Sequence, residues 1–323
     1  MTRIIFFGSE QFAVKILQSL VVDSENFSVV AVVTQPSRPV GRKQTLTQTP
    51  VATYATEQRI KILAPTSLKA PNIHSELQKF EADVFVVAQY GLIIPQAILE
   101  IPHFGAVNVH ASILPRHRGA TPVQGALLAG DNQTGVSIMV MDALMDHGPI
   151  INIHPCDISP TDTIKTLMDT LATCASENFS KDLLGFIHGE IEPIEQNHDV
   201  ATFTKIMTRQ TGFIDWSSMD AIQIERMTRA LVPWPGVTFS TEKQEYKIIA
   251  AHVARTDEVL DEIIPAGIIR IARGSILLVG TISGAISIDI IQPAGKNQMT
   301  ASECCRGYAS INNAVCINSN HVS

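Results

Sequence analysis

Short apolar runs alternate with longer amphipathic stretches through the first 190 residues, and this alternation limits the folds open to the chain. The runs Ile4–Phe7 and Val29–Val33 consist of apolar residues alone, as expected of strands buried on both faces. The stretches that follow them, Phe12–Leu20 and Thr49–Gln58, are longer and mix apolar with polar residues. Repeated strand–helix–strand units produce this pattern, so the sequence predicts an α/β domain with a Rossmann-like, mostly parallel sheet flanked by helices.

Further elements of both kinds continue the pattern. Strands are predicted at Val84–Ala88, Ala106–Val109 and Val136–Met141, each a compact and mainly apolar run. Between the last two, the stretch Gly119–Gly130 has a proline suited to a first helical turn and a terminal glycine, so it predicts a short helix. The stretch Thr161–Ile187 has apolar residues three or four positions apart, which predicts a long helix with one buried face.

The chain of 323 residues exceeds the usual size of a single core, and its pattern changes near residue 190. Residues 1–189 form the predicted first domain. Residues 190–210 lose regular periodicity and are expected to be a linker. Residues 211–300 contain short β-like runs separated by glycine and proline, which predict a smaller β-barrel. Residues 301–323 are polar and poorly patterned, so we expect a frayed tail.

Composition argues against a membrane protein and against a disulfide or zinc framework. No stretch reaches the roughly 20 consecutive apolar residues that a spanning helix needs, and the start Met1–Gly8 stops too soon for a signal peptide. The five cysteines are odd in number and lack the spacings of zinc ligands. We therefore expect a cytoplasmic protein that holds no metal ion.

Charge is unevenly distributed along the chain. The formal net charge of −7 argues against general attraction to nucleic acid. Residues 26–56, however, carry Arg38, Arg42 and Lys43 without any acidic residue. Such a stretch can attract phosphate groups, although an exposed and solvated loop explains the same charges. The charges alone leave both interpretations open.

Three polar residues follow predicted strands in the first domain. Asn108 and His110 are two positions apart at a strand end, so their side chains share a face at the carboxyl edge of the sheet, where α/β proteins bind ligands. Asp146 follows the strand Val136–Met141 by a few residues, and a neighbouring strand could bring its carboxylate to the imidazole. The three side chains are therefore predicted to meet in one crevice.

An amide, an imidazole and a carboxylate together suit acyl transfer to an amine. Asn108 and His110 can donate toward a carbonyl oxygen as negative charge develops there, while Asp146 orients the histidine and helps to move a proton. The sequence has no GxSxG turn, so direct attack by the amine is simpler than a covalent intermediate. Against this, a single histidine at a strand end is more often structural than catalytic, and spacing alone does not decide.

At these residues the sequence resembles the folate-dependent formyltransferases. That family has an Asn-x-His strand end, a Ser-x-Leu-Pro loop and a Gly-x-Ser-Ile…Asp-x-Gly segment. This chain has them in the same order, at Asn108–His110, Ser112–Pro115 and Gly135–Gly148. Within the family the likeness is greatest to the enzymes that formylate methionyl-tRNA, because it extends through both domains. The further matching segments are Ile4–Gly8, Thr34–Pro36, Tyr90–Pro95, Ile214–Trp216 and Gln292–Gly295.

The resemblance implies a reaction and assigns residues to it. The formyl donor would be 10-formyltetrahydrofolate, and the acceptor would be the α-amino group of methionine on initiator tRNA, for translation initiation. Catalysis is assigned to Asn108, His110 and Asp146. Contacts with folate are assigned to Gly91, Leu92, Ser112, Ile113, Leu114 and Pro115.

The resemblance also implies how tRNA is bound. It places Arg38, Arg42 and Lys43 at the acceptor end of the tRNA, and it makes residues 211–300 an OB-like barrel that binds tRNA. The family's barrel is basic, whereas residues 205–323 of this chain hold equal numbers of acidic and basic residues. We therefore expect local patches rather than net charge to attract the tRNA. We expect the enzyme to act as a monomer.

Two other classes of function stay open. Small-molecule formyltransferases that act on a glycinamide ribonucleotide or a nucleotide-linked amino sugar, and folate hydrolases, can share the Asn-x-His…Asp site, but we expect them to resemble the first domain alone. A binding protein for RNA or folate could keep the fold without activity, but it has no need of all three polar residues. The second domain and the intact site favour the tRNA acceptor.

Overall fold

A computed structural model describes residues 1–41, 44–258 and 263–317 of the chain. The chain folds into two compact units. The first comprises Met1–Val123, Asn132–Ile158 and Lys165–Lys205, and the second comprises Gln124–Asp131, Ser159–Ile164 and the residues from Ile206 onward. Within the described residues, no helix is long and apolar enough to cross a membrane.

The apolar runs of the first unit form strands, as predicted. Ile4–Phe7 and Val84–Ala88 are buried along their whole length, as strands covered on both faces are. In chain order the strands are β1 (Thr2–Gly8), β2 (Phe27–Val33), β3 (Arg38–Val40), β4 (Thr45–Thr47), β5 (Ile62–Leu63), β6 (Val84–Ala88), β7 (Ala106–His110), β8 (Arg118–Gly119), β9 (Gln133–Val140), β10 (Ile150–Asp157) and β11 (Phe203–Thr204).

Helices follow the amphipathic stretches. The first helix buries Phe12, Ile16 and Leu17 on one face. The second begins with a proline after Thr49, whose hydroxyl accepts a capping hydrogen bond from Ala52 N at 3.1 Å. In chain order the helices up to residue 187 are α1 (Gln11–Val22), α2 (Pro50–Glu57), α3 (Pro71–Gln78), α4 (Gln96–Leu99), α5 (Pro122–Ala129) and α6 (Ile164–Ile187).

Seven of the described strands form one sheet in the order β10-β9-β7-β6-β1-β2-β5. The neighbours from β7 to β5 pair in parallel, while β9 pairs antiparallel with both β7 and β10. The prediction of a mostly parallel α/β sheet flanked by helices is therefore confirmed. Because β6 and β7 are parallel neighbours, their carboxyl ends at Ala88 and His110 lie at the same edge of the sheet.

The stretch without acidic residues contains a small hairpin. In it β3 pairs antiparallel with β4, and all residues of both strands are exposed. The hydroxyls of Thr34 and Thr49 lie 2.7 Å apart, so a hydrogen bond joins the two ends of the segment that carries the hairpin. Arg38 begins β3, whereas Arg42 and Lys43 lie outside the described residues.

The prediction of a linker at residues 190–210 is wrong for residues 190–205, because these residues belong to the first unit. Ile150 and Ile194 exchange two backbone hydrogen bonds of 2.8 and 2.9 Å, and β11 pairs in parallel with β8. This segment lacks hydrophobic periodicity because long-range hydrogen bonds, rather than one buried face, hold it in place. The last change of the chain from the first unit to the second falls at residue 206 instead.

The second unit combines helices with an antiparallel sheet. One of these helices is α7 (Ala221–Leu231), and Asp220 caps it by accepting a hydrogen bond from Gln223 N at 2.7 Å. The strands are β12 (Val237–Ser240), β13 (Glu245–Val253), β14 (Ile269–Ala272), β15 (Ile276–Gly280), β16 (Ala285–Pro293) and β17 (Met299–Thr300). Their order is β12-β13-β16-β15-β14, and β17 pairs with β16. All of these pairs are antiparallel.

The tail from residue 301 is folded as far as residue 317, which corrects the prediction of fraying. It begins with the helix α8 (Ala301–Gly307). Farther on, Ile317 N donates to Ser240 O of β12 at 2.7 Å, and Ile269 N of β14 donates to Ala314 O at 3.0 Å. One segment thus bonds both edge strands of the sheet, which is the closure that a barrel requires. The polar sequence of the tail did not indicate this folded structure, because the hydrogen bonds to the edge strands are made by backbone groups. Residues 318–323 lie outside the described residues.

Candidate active site

Asn108 and His110 lie at the carboxyl end of β7, and both line one cavity. Their spacing in an extended strand places both side chains on one face. Asp146 lies in the loop after β9, the antiparallel neighbour of β7, and lines the same cavity. The structure therefore brings together the three side chains that the sequence predicted to meet.

The carboxylate of Asp146 is the common contact of this group. Its Oδ1 accepts a hydrogen bond from Asn108 Nδ2 at 3.4 Å and lies 3.6 Å from His110 Nδ1. Its Oδ2 accepts a shorter hydrogen bond from the backbone N–H of Gly119, at 2.7 Å. The backbone of Asp146 has a φ of 49°, in the left-handed region that residues with a side chain rarely adopt. Contacts to both oxygens thus hold the carboxylate in place.

The ring of His110 lies between two oxygen atoms. Its Nε2 is 3.1 Å from the carbonyl oxygen of His117. Because a carbonyl oxygen only accepts, Nε2 carries the proton of this hydrogen bond. In the neutral ring Nδ1 then has a free lone pair, and Asp146 stands beside it. This arrangement suits a base, since the carboxylate stabilises the positive charge that the ring gains with a second proton.

The cavity has a volume of about 520 Å³, within the range of small-molecule sites. Residues 89–94, which follow β6, and residues 141–146, which follow β9, contribute much of its lining. Ile93, Leu144 and Met145 on these loops are apolar side chains that remain mostly exposed. Exposed apolar groups around a cavity are typical of a binding site.

The other predicted binding residues divide into two groups. Gly91 and Leu92 line the cavity, whereas Ser112, Ile113, Leu114, Pro115 and Arg38 do not. Ser112 is buried, and its Oγ donates to Arg116 O at 2.7 Å. Leu114 N donates to Ser137 Oγ at 3.0 Å. In this structure the Ser112–Pro115 loop therefore supports the backbone that leads to His117.

Gln35 is a cavity residue that sequence reasoning missed. Its Nε2 donates to Tyr90 O at 2.7 Å, next to Gly91. Gly91 has a φ of 79°, and a Cβ atom there would collide with the Gln35 amide. Burial raises the pKa of Tyr90 to about 12, so its phenol stays neutral. The only sequence signal was the matching segment Thr34–Pro36, which indicated no role for the glutamine.

Both parts of the chain match known families. Residues 2–183 match the family described as formyl transferase, and residues 206–309 match the formyl transferase C-terminal domain. A curated methionyl-tRNA formyltransferase of Roseiflexus sp. (strain RS-1) is 42% identical over 305 residues, covering 94% of this chain and 92% of the relative. One of Chloroflexus aurantiacus (strain ATCC 29366 / DSM 635 / J-10-fl) is 41% identical over 310 residues, covering 96% and 98% respectively.

A solved structure with a similar fold is that of the sugar 3N-formyl transferase WlaRD. It superposes with a TM-score of 0.63 at 19% identity, covering 92% of this chain and 99% of WlaRD. At this identity the likeness concerns the fold alone. It also corrects the expectation that enzymes with small acceptors resemble the first domain only. Two-domain architecture by itself does not separate a tRNA acceptor from an amino-sugar acceptor.

Proposed function

The chain belongs to the formyl transferase family through both matched regions, and we propose that it is an enzyme that formylates the α-amino group of methionine on initiator tRNA. Relatives 41 and 42% identical over more than nine-tenths of this chain are named for this reaction and this acceptor. The observation that carries the proposal is the convergence of Asn108, His110 and Asp146 on the wall of one cavity. A role in translation initiation would place the enzyme in the cytoplasm.

The proposed donor is 10-formyltetrahydrofolate. Its pterin is a flat ring system with polar edges, so it needs both apolar and polar partners. The cavity offers apolar contacts from Leu92 and Ile94, and polar groups from Asn108 and Asp146. Gly91 also lines the cavity, and the Gln35 amide fills the space that a side chain at this position would need.

In the proposed reaction the amine attacks the formyl carbon directly. As the new C–N bond forms, the formyl oxygen becomes negative, and the Asn108 amide donates a hydrogen bond to it. The bond between the formyl carbon and N10 then breaks, N10 takes up a proton, and tetrahydrofolate leaves. A donor placed in this way contributes about 10²–10³-fold in rate.

His110 and Asp146 handle the proton that the amine loses. Nδ1 of His110 accepts this proton, and the Asp146 carboxylate, 3.6 Å away, stabilises the imidazolium that results. The same proton can then pass to N10 as it departs. This role differs from the expectation that His110 donates to the formyl oxygen, because Nε2 already donates to His117 O.

The acceptor end of the tRNA is proposed to meet the hairpin of β3 and β4. Arg38 is exposed on β3, and residues 26–56 contain no acidic side chain to compete with phosphate. Arg42 and Lys43 belong to the same stretch and add two positive charges. Positive side chains on an exposed hairpin suit contact with the tRNA backbone.

The experiment that tests this function is a formyl-transfer assay with defined acceptors. The protein is incubated with 10-formyltetrahydrofolate and, separately, with initiator Met-tRNA, free methionine and a nucleotide-linked amino sugar. We expect rapid formylation of Met-tRNA alone. Transfer to the amino sugar with none to Met-tRNA would overturn the proposed acceptor, and release of formate without any acceptor would indicate a hydrolase.

A further inference from the structure

Residues 190–205 lie between the two matched regions of the chain and supply a buried side chain that contacts the backbone of Asp146. That side chain is Gln196, with 6% of its surface exposed. Its Nε2 donates to the carbonyl oxygen of Asp146 at 3.0 Å and to that of Gly148 at 2.8 Å. Both protons of the amide nitrogen are therefore used.

Arg118 holds the other end of this amide. Gln196 Oε1 accepts from Arg118 Nη2 at 2.6 Å and from Nε at 3.2 Å. Arg118 is itself buried, and its Nη2 also lies 2.9 Å from His198 Nδ1. A guanidinium only donates and a carbonyl only accepts, so the amide oxygen must face Arg118 and the nitrogen must face Asp146. The orientation of Gln196 is thereby fixed.

Thr202, in the same segment, holds the backbone on the other side of the His110 ring. Its Oγ1 accepts from His117 N at 2.8 Å, and its carbonyl accepts from Arg118 N at 2.8 Å. The carbonyl of His117 is the group that binds His110 Nε2. The segment therefore contacts the residues on both sides of the imidazole.

We propose that Gln196 is a positioning residue for formyl transfer, acting through Asp146. Its two hydrogen bonds hold the left-handed turn at Asp146, which keeps the carboxylate at Asn108, His110 and the Gly119 N–H. Gln196 is buried and does not line the cavity, so we expect it to act through Asp146 rather than by contact with a substrate. The proposal rests on the proposed function, and it gives Gln196, which lies between the two matched regions, a supporting role for the active site.

Two variants separate positioning from folding. Gln196→Met removes all the hydrogen bonds of the amide, whereas Gln196→Glu keeps an acceptor for Arg118 but loses the N–H donors to Asp146 and Gly148. We expect both to lower kcat by roughly tenfold to a hundredfold, the size of effect that misplaced catalytic groups produce. KM for either substrate should change by less than about twofold, because the cavity is untouched. Glu195→Gln, an exposed neighbour, is the control and should leave kcat unchanged.

A double-mutant cycle tests whether Gln196 acts through Asp146. In an Asp146→Asn background, single-turnover rates should show no further loss when Gln196→Met is added, since the two changes disable the same group. Equal fold-losses in both backgrounds would show a general structural effect and overturn the proposal. A Gln196→Glu enzyme with normal kcat would overturn it as well.

A readout without substrate keeps this test separate from the proposed function. The Gly119 N–H donates to Asp146 Oδ2, so its hydrogen exchange reports whether the carboxylate stays in place. We expect exchange at Gly119 to quicken at least about tenfold in Gln196→Met while buried β1 amides stay protected. Unchanged exchange at Gly119 would refute the positioning role. An inactive wild-type protein would instead refute the proposed function.

Discussion

His110 Nδ1 lies 3.6 Å from Asp146 Oδ1, a separation that keeps the two groups in electrostatic contact without a full hydrogen bond. The carboxylate is instead anchored by Gly119 N, and the imidazole is anchored by His117 O. Each partner is thus fixed independently of the other. A proton that enters at Nδ1 meets a carboxylate already in place, which is the pre-organisation that proton transfer at a catalytic site requires.

Replacement of His110 tests this arrangement. His110→Ala should lower kcat by about 10²–10⁴-fold, the usual contribution of a general base. The lost ring lines the cavity, so added imidazole can occupy its place and should restore part of the rate in proportion to its concentration. Steady-state kinetics with and without imidazole, together with thermal melting, measure both effects. Near-normal transfer by His110→Ala would remove His110 from the mechanism.

Gly91 offers a test of the folate side of the cavity. In Gly91→Ala the new Cβ meets the Gln35 amide and must adopt a φ of 79°, so the loop has to shift. We expect KM for the folate to rise roughly tenfold while kcat changes less, since the proposed catalytic groups Asn108 and His110 lie on β7 and Asp146 follows β9. Gly105→Ala is a matched control, because it has a φ of 67° with open space around it. Equal KM values in the two variants would contradict a role for Gly91 in folate binding.

The meeting of Asn108, His110 and Asp146 could be predicted from the sequence, because strand alternation places the first two on one face and the sheet order is that of a doubly wound domain. The role of Gln196 could not, since its amide nitrogen donates to the backbone carbonyls of residues 146 and 148, and backbone groups leave no mark in a sequence. The same cause hid the closure made by the tail at residues 314–317. The pattern of apolar and polar side chains indicates which faces are buried. It does not indicate structure that main-chain hydrogen bonds determine.

The Ser112–Pro115 loop shows a different limit. Its residues match a family motif, but a motif indicates that side chains matter without showing what they contact. The buried hydroxyl of Ser112 donates to Arg116 O, within its own loop. The motif is therefore consistent with folding of the loop as well as with folate contact, and a structure with the donor bound would distinguish the two.

The second unit has a pH-sensitive contact at His252. Its Nδ1 lies 3.0 Å from Asp289 and its Nε2 lies 2.9 Å from Glu258, which also pairs with Arg255. Burial by itself lowers the pKa of His252, but hydrogen bonds to Asp289 and Glu258 and their negative charges outweigh it and raise the pKa above 6.5. A raised pKa stabilises the fold fully below the unfolded value, and this stabilisation is lost as pH rises through the folded value.

The difference in free energy of unfolding between wild type and His252→Gln should therefore be largest below about pH 6.5 and shrink as pH rises above it. Urea unfolding of the full chain at several pH values measures it. His188→Gln, which changes a histidine of the first unit, provides the control and should show no such trend. If the difference in free energy of unfolding between wild type and His252→Gln grew as pH rises, protonated His252 would not be the stabilising form.

Because the tail is folded as far as residue 317, we expect Ile311 to contribute measurably to the free energy of unfolding. Ile311 is buried, with 2% of its surface exposed, in a region that the sequence suggested was frayed. Ile311→Ala should lower the free energy of unfolding by about 2–5 kcal/mol, as loss of a buried isoleucine does. Val315→Ala, at a residue with 54% of its surface exposed, should change it by less than about 0.5 kcal/mol. If both variants changed the free energy of unfolding by equally small amounts, the result would contradict a folded tail and support the prediction of fraying.

Replacement of Arg42 tests binding of tRNA separately from the formyl-transfer step. It belongs to the stretch without acidic residues and is proposed to contact phosphate, so Arg42→Ala should raise KM for Met-tRNA without changing KM for the folate. Loss of one phosphate contact should also reduce the slope of log affinity against log salt by about 1. Lys15→Ala removes an exposed positive charge from α1 and serves as the control, since a fall in net charge alone would affect both variants alike. Binding measured by fluorescence anisotropy over a range of salt concentrations distinguishes the cases: identical slopes for wild type and Arg42→Ala would mean that this residue makes no phosphate contact.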